Sequence, residues 1–148
     1  MDFINFRGNL KTITTAQQKK AYEDLKNMGW GASHTAFWVS TPHDRFAIEG
    51  CCQLLKHHAK NGFKSFRFIS AYTDFPTETD ACDLYILLGM NEKDVEMTNR
   101  IRRWLRYPHG ASVWVVGVAS EPYRWAGEDL GVVPNFMFYF RKNGIMVG

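Results

Sequence analysis

The sequence predicts an α+β domain of the ferredoxin-like, split βαβ type, in the order β-α-β-β-α-β over residues 34–118, with an N-terminal βα extension and a C-terminal β-hairpin. Three observations predict it. Apolar residues recur at helical spacing in two segments and at strand density in four segments around them. The run DLYILLGM is continuously apolar and suits a central strand. In FMFYFRKNGIMV, Asn143-Gly144 supplies the positive φ angles of a tight turn between two apolar runs.

The elements follow in chain order. Residues 2–6, DFINF, alternate weakly and form a short strand ending at Arg7-Gly8. Thr14 or Thr15 caps a helix with Ala21, Leu25 and Met28 on one face, and Gly29 stops it. The glycine-permitted loop GWGAS leads into a strand at His34–Ser40. Asp44 is the expected N-cap of a helix over roughly 45–60, with Ala47, Cys51, Leu54, Leu55 and His58 along one side. Asn61-Gly62 ends that helix, and strands follow at Lys64–Ala71 and Asp83–Met90. A second helix at about 92–106 turns Val95, Thr98, Ile101 and Leu105 inward, and Ser112–Val118 closes the core as an apolar strand. The two crossovers of this order would put both helices on one sheet face.

The 148 residues fit one domain, 1–148, with a single core. Aromatic residues reach 15%, enough to line a pocket as well as fill the core. A net charge of +3 is too small to argue for nucleic acid or a membrane surface. Cys51, Cys52 and Cys82 form no CxxC pair, so neither a disulfide scaffold nor a zinc site is expected, and a reducing, cytoplasmic setting is. No apolar run approaches the roughly 20 residues of a membrane span, and no signal-peptide pattern is present, so a soluble, unprocessed chain is expected.

Three segments combine chemistry-bearing residues. At the corner Ser40–Arg45, Ser40, Thr41 and Arg45 beside the amides of a helix start can hold a carboxylate or phosphate; the same residues also suit an ordinary turn. The loop AYTDFPTETDACD gathers Asp74, Glu78, Asp80 and Asp83 beside Tyr72 and Phe75. A carboxylate among rings can be tuned as a base or cation partner, though a solvated acidic loop reads the same way. Metal is not expected there, because no histidine accompanies the acids and their spacing is not that of a calcium loop. In ASEPYRWAGEDLG, Glu121, Tyr123, Arg124 and Trp125 suit a nucleoside ring, or equally a lid packed on the core. The basic run RIRRWLR follows Glu92, Asp94 and Glu96 and reads as a solvated helix face rather than a nucleic-acid site. His57 and His58 are adjacent on a helix and face apart, unlike a helical metal pair.

A strand ending in Val39-Ser40-Thr41, a helix, a strand, the segment Pro76-Thr77-Glu78, a second helix and a strand ending near Ser120-Glu121 resemble the phage-type S-adenosylmethionine lyases, or SAM hydrolases. The likeness covers about 90 residues. It implies cleavage of S-adenosylmethionine to methylthioadenosine and homoserine lactone, with no metal and no added cofactor, in a homo-oligomer with a site between subunits. Glu78 matches the family's glutamate near the ligand, and Glu121 stands where the family has a glutamine. Ser40 and Thr41 would bind the methionine carboxylate, while Tyr72 or Trp125 would stack on adenine. Phe6-Arg7-Gly8, Phe37-Trp38-Val39-Ser40-Thr41 and Glu78 also resemble ADP-ribosyltransferases of the Arg-Ser-Glu type, which implies NAD as substrate, with Arg7 on the pyrophosphate and Glu78 on the ribose. Pro42 and Glu78-Thr79-Asp80 depart from that pattern. A third expectation is a phage-encoded inhibitor or ligand sponge that binds a nucleotide-type ligand without turnover.

Overall fold

The computed structural model describes residues 35–41, 43–58, 66–70, 84–105, 112–141 and 144–147. In chain order the elements are β1 (Thr35–Ser40), α1 (Arg45–His58), β2 (Phe66–Ser70), β3 (Leu84–Asn91), α2 (Val95–Trp104), β4 (Ser112–Val118), β5 (Phe136–Arg141) and β6 (Gly144–Val147). Between β4 and β5 runs a helical segment, α-type at Pro122–Arg124 and π-type at Trp125–Asp129. The strands form one sheet in the order β2-β3-β4-β1-β5-β6. Among the described strands five are parallel, and β6 alone runs antiparallel, against β5.

The class is mixed α and β, but the ferredoxin-like order is corrected. That order needs a hairpin between the second and third strands, whereas β2 and β3 pair in parallel, Phe66 opposite Leu84 through Ser70 opposite Leu88. A parallel pair needs a crossover of a dozen or more residues, a length that residues 71–83 supply. The C-terminal pair does run antiparallel, Phe138 opposite Val147 through Arg141 opposite Gly144. The N-terminal βα extension, residue 7, Asn143 and the whole 71–83 loop, with Tyr72 and Glu78, lie outside the described residues.

The helices also lie on opposite faces, not on one. Alternate strand residues point to opposite sides of a sheet. Ala36, Trp38, Ile86, Trp114 and Phe138 pack with Ala47, Cys51 and Leu55 of α1. Phe37, Val39, Tyr85, Val115 and Tyr139 pack with Met97, Ile101 and Trp104 of α2 and with Trp125 and Ala126. Chain direction explains the division. The β1-to-β2 crossover travels one way across the sheet, while β3-to-β4 and β4-to-β5 travel the other. Right-handed crossovers moving in opposite directions occupy opposite faces.

Aromatic rings fill the α1 side. Trp38 lies 4.2 Å from Phe138 and 5.2 Å from Trp114 between ring centroids, joining β5, β1 and β4. Cys51 is enclosed there, and burial, followed by the charge of Cys52, pushes its thiol well up from the usual value. Such a thiol is inert as a nucleophile. The side chains of Leu54 and His58 lie outside the described residues.

On α2, Met97, Thr98, Ile101 and Trp104 are buried, and Leu105 packs at their edge. Val95, expected inward, is 68% exposed. At about 100° per residue it points roughly 120° away from the centre of the face those residues define. Asp94 caps the helix, its carboxylate accepting the Met97 amide at 3.0 Å. Asp94→Ala is expected to lower stability by about 1 kcal/mol, read as a shifted urea midpoint at unchanged slope. No shift would mean that the cap contributes nothing. Arg102 and Arg103 stand exposed in the last turn, where positive charge complements the helix dipole. Among the described residues no helix is long and apolar enough to cross a membrane.

Candidate functional site

Five parallel strands bring their carboxyl ends to one edge of the sheet. β1 and β4 are neighbours there, Ser40 opposite Val118. From these ends the chain leaves β1 toward α1 on one face and leaves β4 toward the 122–129 segment on the other. Adjacent strands whose connections part in this way open a crevice at the sheet edge, where parallel sheets bind ligands.

The β1 side of this crevice is knitted internally. The Ala119 amide donates to the Ser40 carbonyl at 3.2 Å. Thr41 donates its hydroxyl proton to the Ala119 carbonyl at 2.9 Å, so the Tyr139 hydroxyl, also 2.9 Å from Thr41 Oγ1, must be the donor in that second bond. Ser40 is fully buried and donates to the His43 carbonyl. Both protons that the sequence reading assigned to a ligand carboxylate are thus used within the chain. Arg45 lies exposed on α1, its Nε 3.5 Å from the buried Glu49 carboxylate.

The β4 side is more open. A cleft of about 280 Å³ carries the carboxylates of Glu92, Glu121 and Asp129 against the cations Lys93 and Arg124. Ser120 forms part of its wall, and Trp125 contributes only to its floor. The Trp125 ring is fully buried, edge-on to Phe37 at 5.8 Å, and its Nε1 donates to Thr98 Oγ1 at 3.3 Å. A ring so enclosed offers no face to adenine. Glu121 is exposed and accepts a 2.7 Å bond from Arg124 Nη1, and Arg124 Nε lies 3.3 Å from Glu128. The hydrogen bond and then the charge of Glu121, with Glu128 and Asp129 behind it, hold the guanidinium above its ordinary pKa. Their exposure to solvent keeps the contribution of these pairs to stability small.

Glu92 is the residue that sequence reasoning missed. It was read as one charge of a solvated helix face, but it stands ahead of α2, at the exit of β3. One carboxylate oxygen accepts the Ser120 amide at 2.7 Å and the Ser120 hydroxyl at 2.5 Å. The other accepts the Glu121 amide at 3.4 Å. Partial burial pushes the Glu92 carboxyl up, but the bonds from Ser120 and from the Glu121 amide, with the charge of Arg124, outweigh it and hold the group below its usual value. The available signal was Gly89, an isolated glycine inside a strand pattern, which marks a bulge.

That bulge re-aims the end of β3. Gly89 has φ +72°, and the register against β4 jumps between Leu87 opposite Val115 and Met90 opposite Gly117. Beyond it the Glu92 amide donates to the Val118 carbonyl at 3.0 Å. Main chain and side chain of Glu92 therefore both bind the β4 exit. The π-type turn opposite completes the wall, the Leu130 amide donating to the Trp125 carbonyl at 2.9 Å, an irregularity frequent at functional sites.

Among the described residues no group of three or more His, Cys, Asp or Glu side chains is placed to hold a metal ion. Compared with protein-family models, curated proteins and solved structures, the chain matches none.

Proposed function

We propose that the protein binds an adenosine-containing small molecule in the cleft beyond β3 and β4, and that S-adenosylmethionine is the ligand it cleaves. The observation that carries this reading is the acid-rich cleft between the exit of β3 and the 120–129 segment that follows β4. At about 280 Å³ it is small among ligand pockets, which span about 300–1,000 Å³. A single nucleoside suits that size better than a dinucleotide. S-adenosylmethionine carries more positive than negative charge at neutral pH, and three carboxylates against two cations favour such a ligand over the pyrophosphate of NAD. The β1-to-α1 corner, Thr41-Pro42-His43-Asp44, contains no glycine to let the backbone approach a pyrophosphate closely.

The reaction balances without a co-reactant. The methionine carboxylate oxygen attacks the γ-carbon as the carbon–sulfur bond breaks, and the electron pair passes to sulfur and neutralises the sulfonium. Methylthioadenosine leaves and homoserine lactone forms. The site's task is to fold the methionine part onto itself and to hold the sulfonium among negative groups until its charge is lost. Glu121 and Asp129 provide such charge at the rim. Glu78, the match to the lyase glutamate, is the further carboxylate assigned to this step.

The test is chromatography of the purified protein after separate incubation with S-adenosylmethionine and NAD. Methylthioadenosine and homoserine lactone are expected from the first, with release falling by about a hundredfold or more in Glu78→Gln while its melting curve is kept. Full activity in that variant would remove Glu78 from the mechanism. Nicotinamide released from NAD would replace this reading with the transferase. Bound but unchanged S-adenosylmethionine would make the protein a non-catalytic binder, and failure to bind either compound would end both enzyme readings.

A further inference from the structure

We infer that Glu92 determines specificity at this site: its carboxylate occupies the donors that would otherwise receive a phosphate, and so selects adenosine ligands whose 5′ substituent is not anionic. The inference rests on the proposed adenosine site and sharpens its ligand class. Two successive amides and a hydroxyl converging on one point form an anion-binding concavity, the kind of feature by which backbone cradles phosphate. Here the Ser120 amide, Ser120 hydroxyl and Glu121 amide converge on the Glu92 carboxylate at 2.7, 2.5 and 3.4 Å. An incoming phosphate would have to displace a carboxylate or lie against it, like charge on like charge.

Several features fix Glu92 in place. The Gly89 bulge shifts the β3 register, the Glu92 amide bonds the Val118 carbonyl, and the following turn is closed by Lys93 N to Asn91 Oδ1 at 2.9 Å and Asp94 N to the Asn91 carbonyl at 3.0 Å. The internal anion is therefore pre-organised, and no entropy is spent in seating it. Its low pKa agrees with a carboxylate that stays charged throughout the neutral range. Of the cations in the cleft, Arg124 is already engaged by Glu121 and Glu128, while Lys93 carries positive charge on the same wall. Specificity of this kind works by rejection: the repulsive group is built in against the wrong ligand.

Two measurements test it. The first is calorimetric titration of the full chain and of Glu92→Ala with adenosine and with 5′-AMP. The wild type is expected to prefer adenosine by about tenfold or more, and the variant to shift that ratio toward 5′-AMP by about tenfold. An unchanged ratio overturns the inference, as does a wild type that binds 5′-AMP as tightly as adenosine. The second uses inorganic phosphate alone and reads the Ser120 and Glu121 amide resonances. They are expected to stay fixed in the wild type and to move in the variant; movement in the wild type, or none in the variant, overturns the inference. This arm stands even where no adenosine compound binds, a result that would sink the adenosine site without touching the role of Glu92. Glu92→Leu, which keeps most of the side-chain volume but carries no acceptor, replaces the alanine variant should that one fail to fold.

Discussion

Gly117→Ala is expected to destabilise the protein by about 3 kcal/mol or more, at or above the top of the usual range for overpacking. A Cβ on Gly117 would lie 2.0 Å from the Met90 carbonyl oxygen, 2.6 Å from its carbon and 3.0 Å from the Met90 Cα. All three atoms are backbone, so no side chain can swing away to relieve the contact. β3 and β4 would have to separate inside the sheet, at the bulge that carries Asn91 and Glu92 to the β4 exit. Loss of the Glu92 bonds to Ser120 and Glu121 should accompany the loss of stability. Urea denaturation measures the effect as a fall in midpoint. Gly127→Ala is the control, because nothing lies within 4 Å of a Cβ there. A Gly117→Ala variant within about 0.5 kcal/mol of wild type, the range of an unremarkable surface change, would mean that β3 and β4 do not approach as described.

Much of the fold was legible as local pattern. The strand over residues 112–118 was read at its observed limits, and the strand ending at Ser40 and the helix beginning at Arg45 were placed within a residue of their common corner. These elements carry strong periodicity or dense apolar runs. Strand direction carries no such local signal. A long connector between β2 and β3 suits a loose hairpin in one fold and a crossover in another, and the choice between them fell on the wrong fold. A usable clue was present: strands buried on both faces read as nearly continuous apolar runs. Leu84-Tyr85-Ile86-Leu87 and Val113-Trp114-Val115-Val116 are such runs, and successive residues in each belong to opposite cores. The site was harder to read, because its geometry depends on pairing. Glu92 reaches Ser120 only after the bulge shifts β3 against β4, a contact between residues 28 apart in the chain. Glu121 was singled out and does line the cleft, whereas Ser40 was chosen for a hydroxyl that the turn itself consumes.

Trp125 separates a ligand-stacking ring from a core ring by experiment. Its loop suited a nucleoside ring or a lid packed on the core, and the lyase resemblance implied adenine stacking; the π-type turn sets the ring on Phe37 and Thr98, beneath the cleft. A stacking ring on the surface can be removed at little cost to the unliganded protein, within about 0.5 kcal/mol. A fully buried tryptophan cannot: Trp125→Ala is expected to cost about 3–5 kcal/mol with no ligand present, through lost burial and the cavity left behind. Trp125→Phe retains most of the volume but not the bond to Thr98, and should lose only about 1–2 kcal/mol. The ordering of the two variants in urea, without ligand, is the measurement. If Trp125→Ala proved as stable as wild type while S-adenosylmethionine binding fell, the ring would belong to the ligand, and the floor of the cleft would have to be redrawn. If stability falls as expected, adenine must find its stacking partner elsewhere on the crevice wall, and the exposed Tyr123 on the same helical segment becomes the ring to replace next.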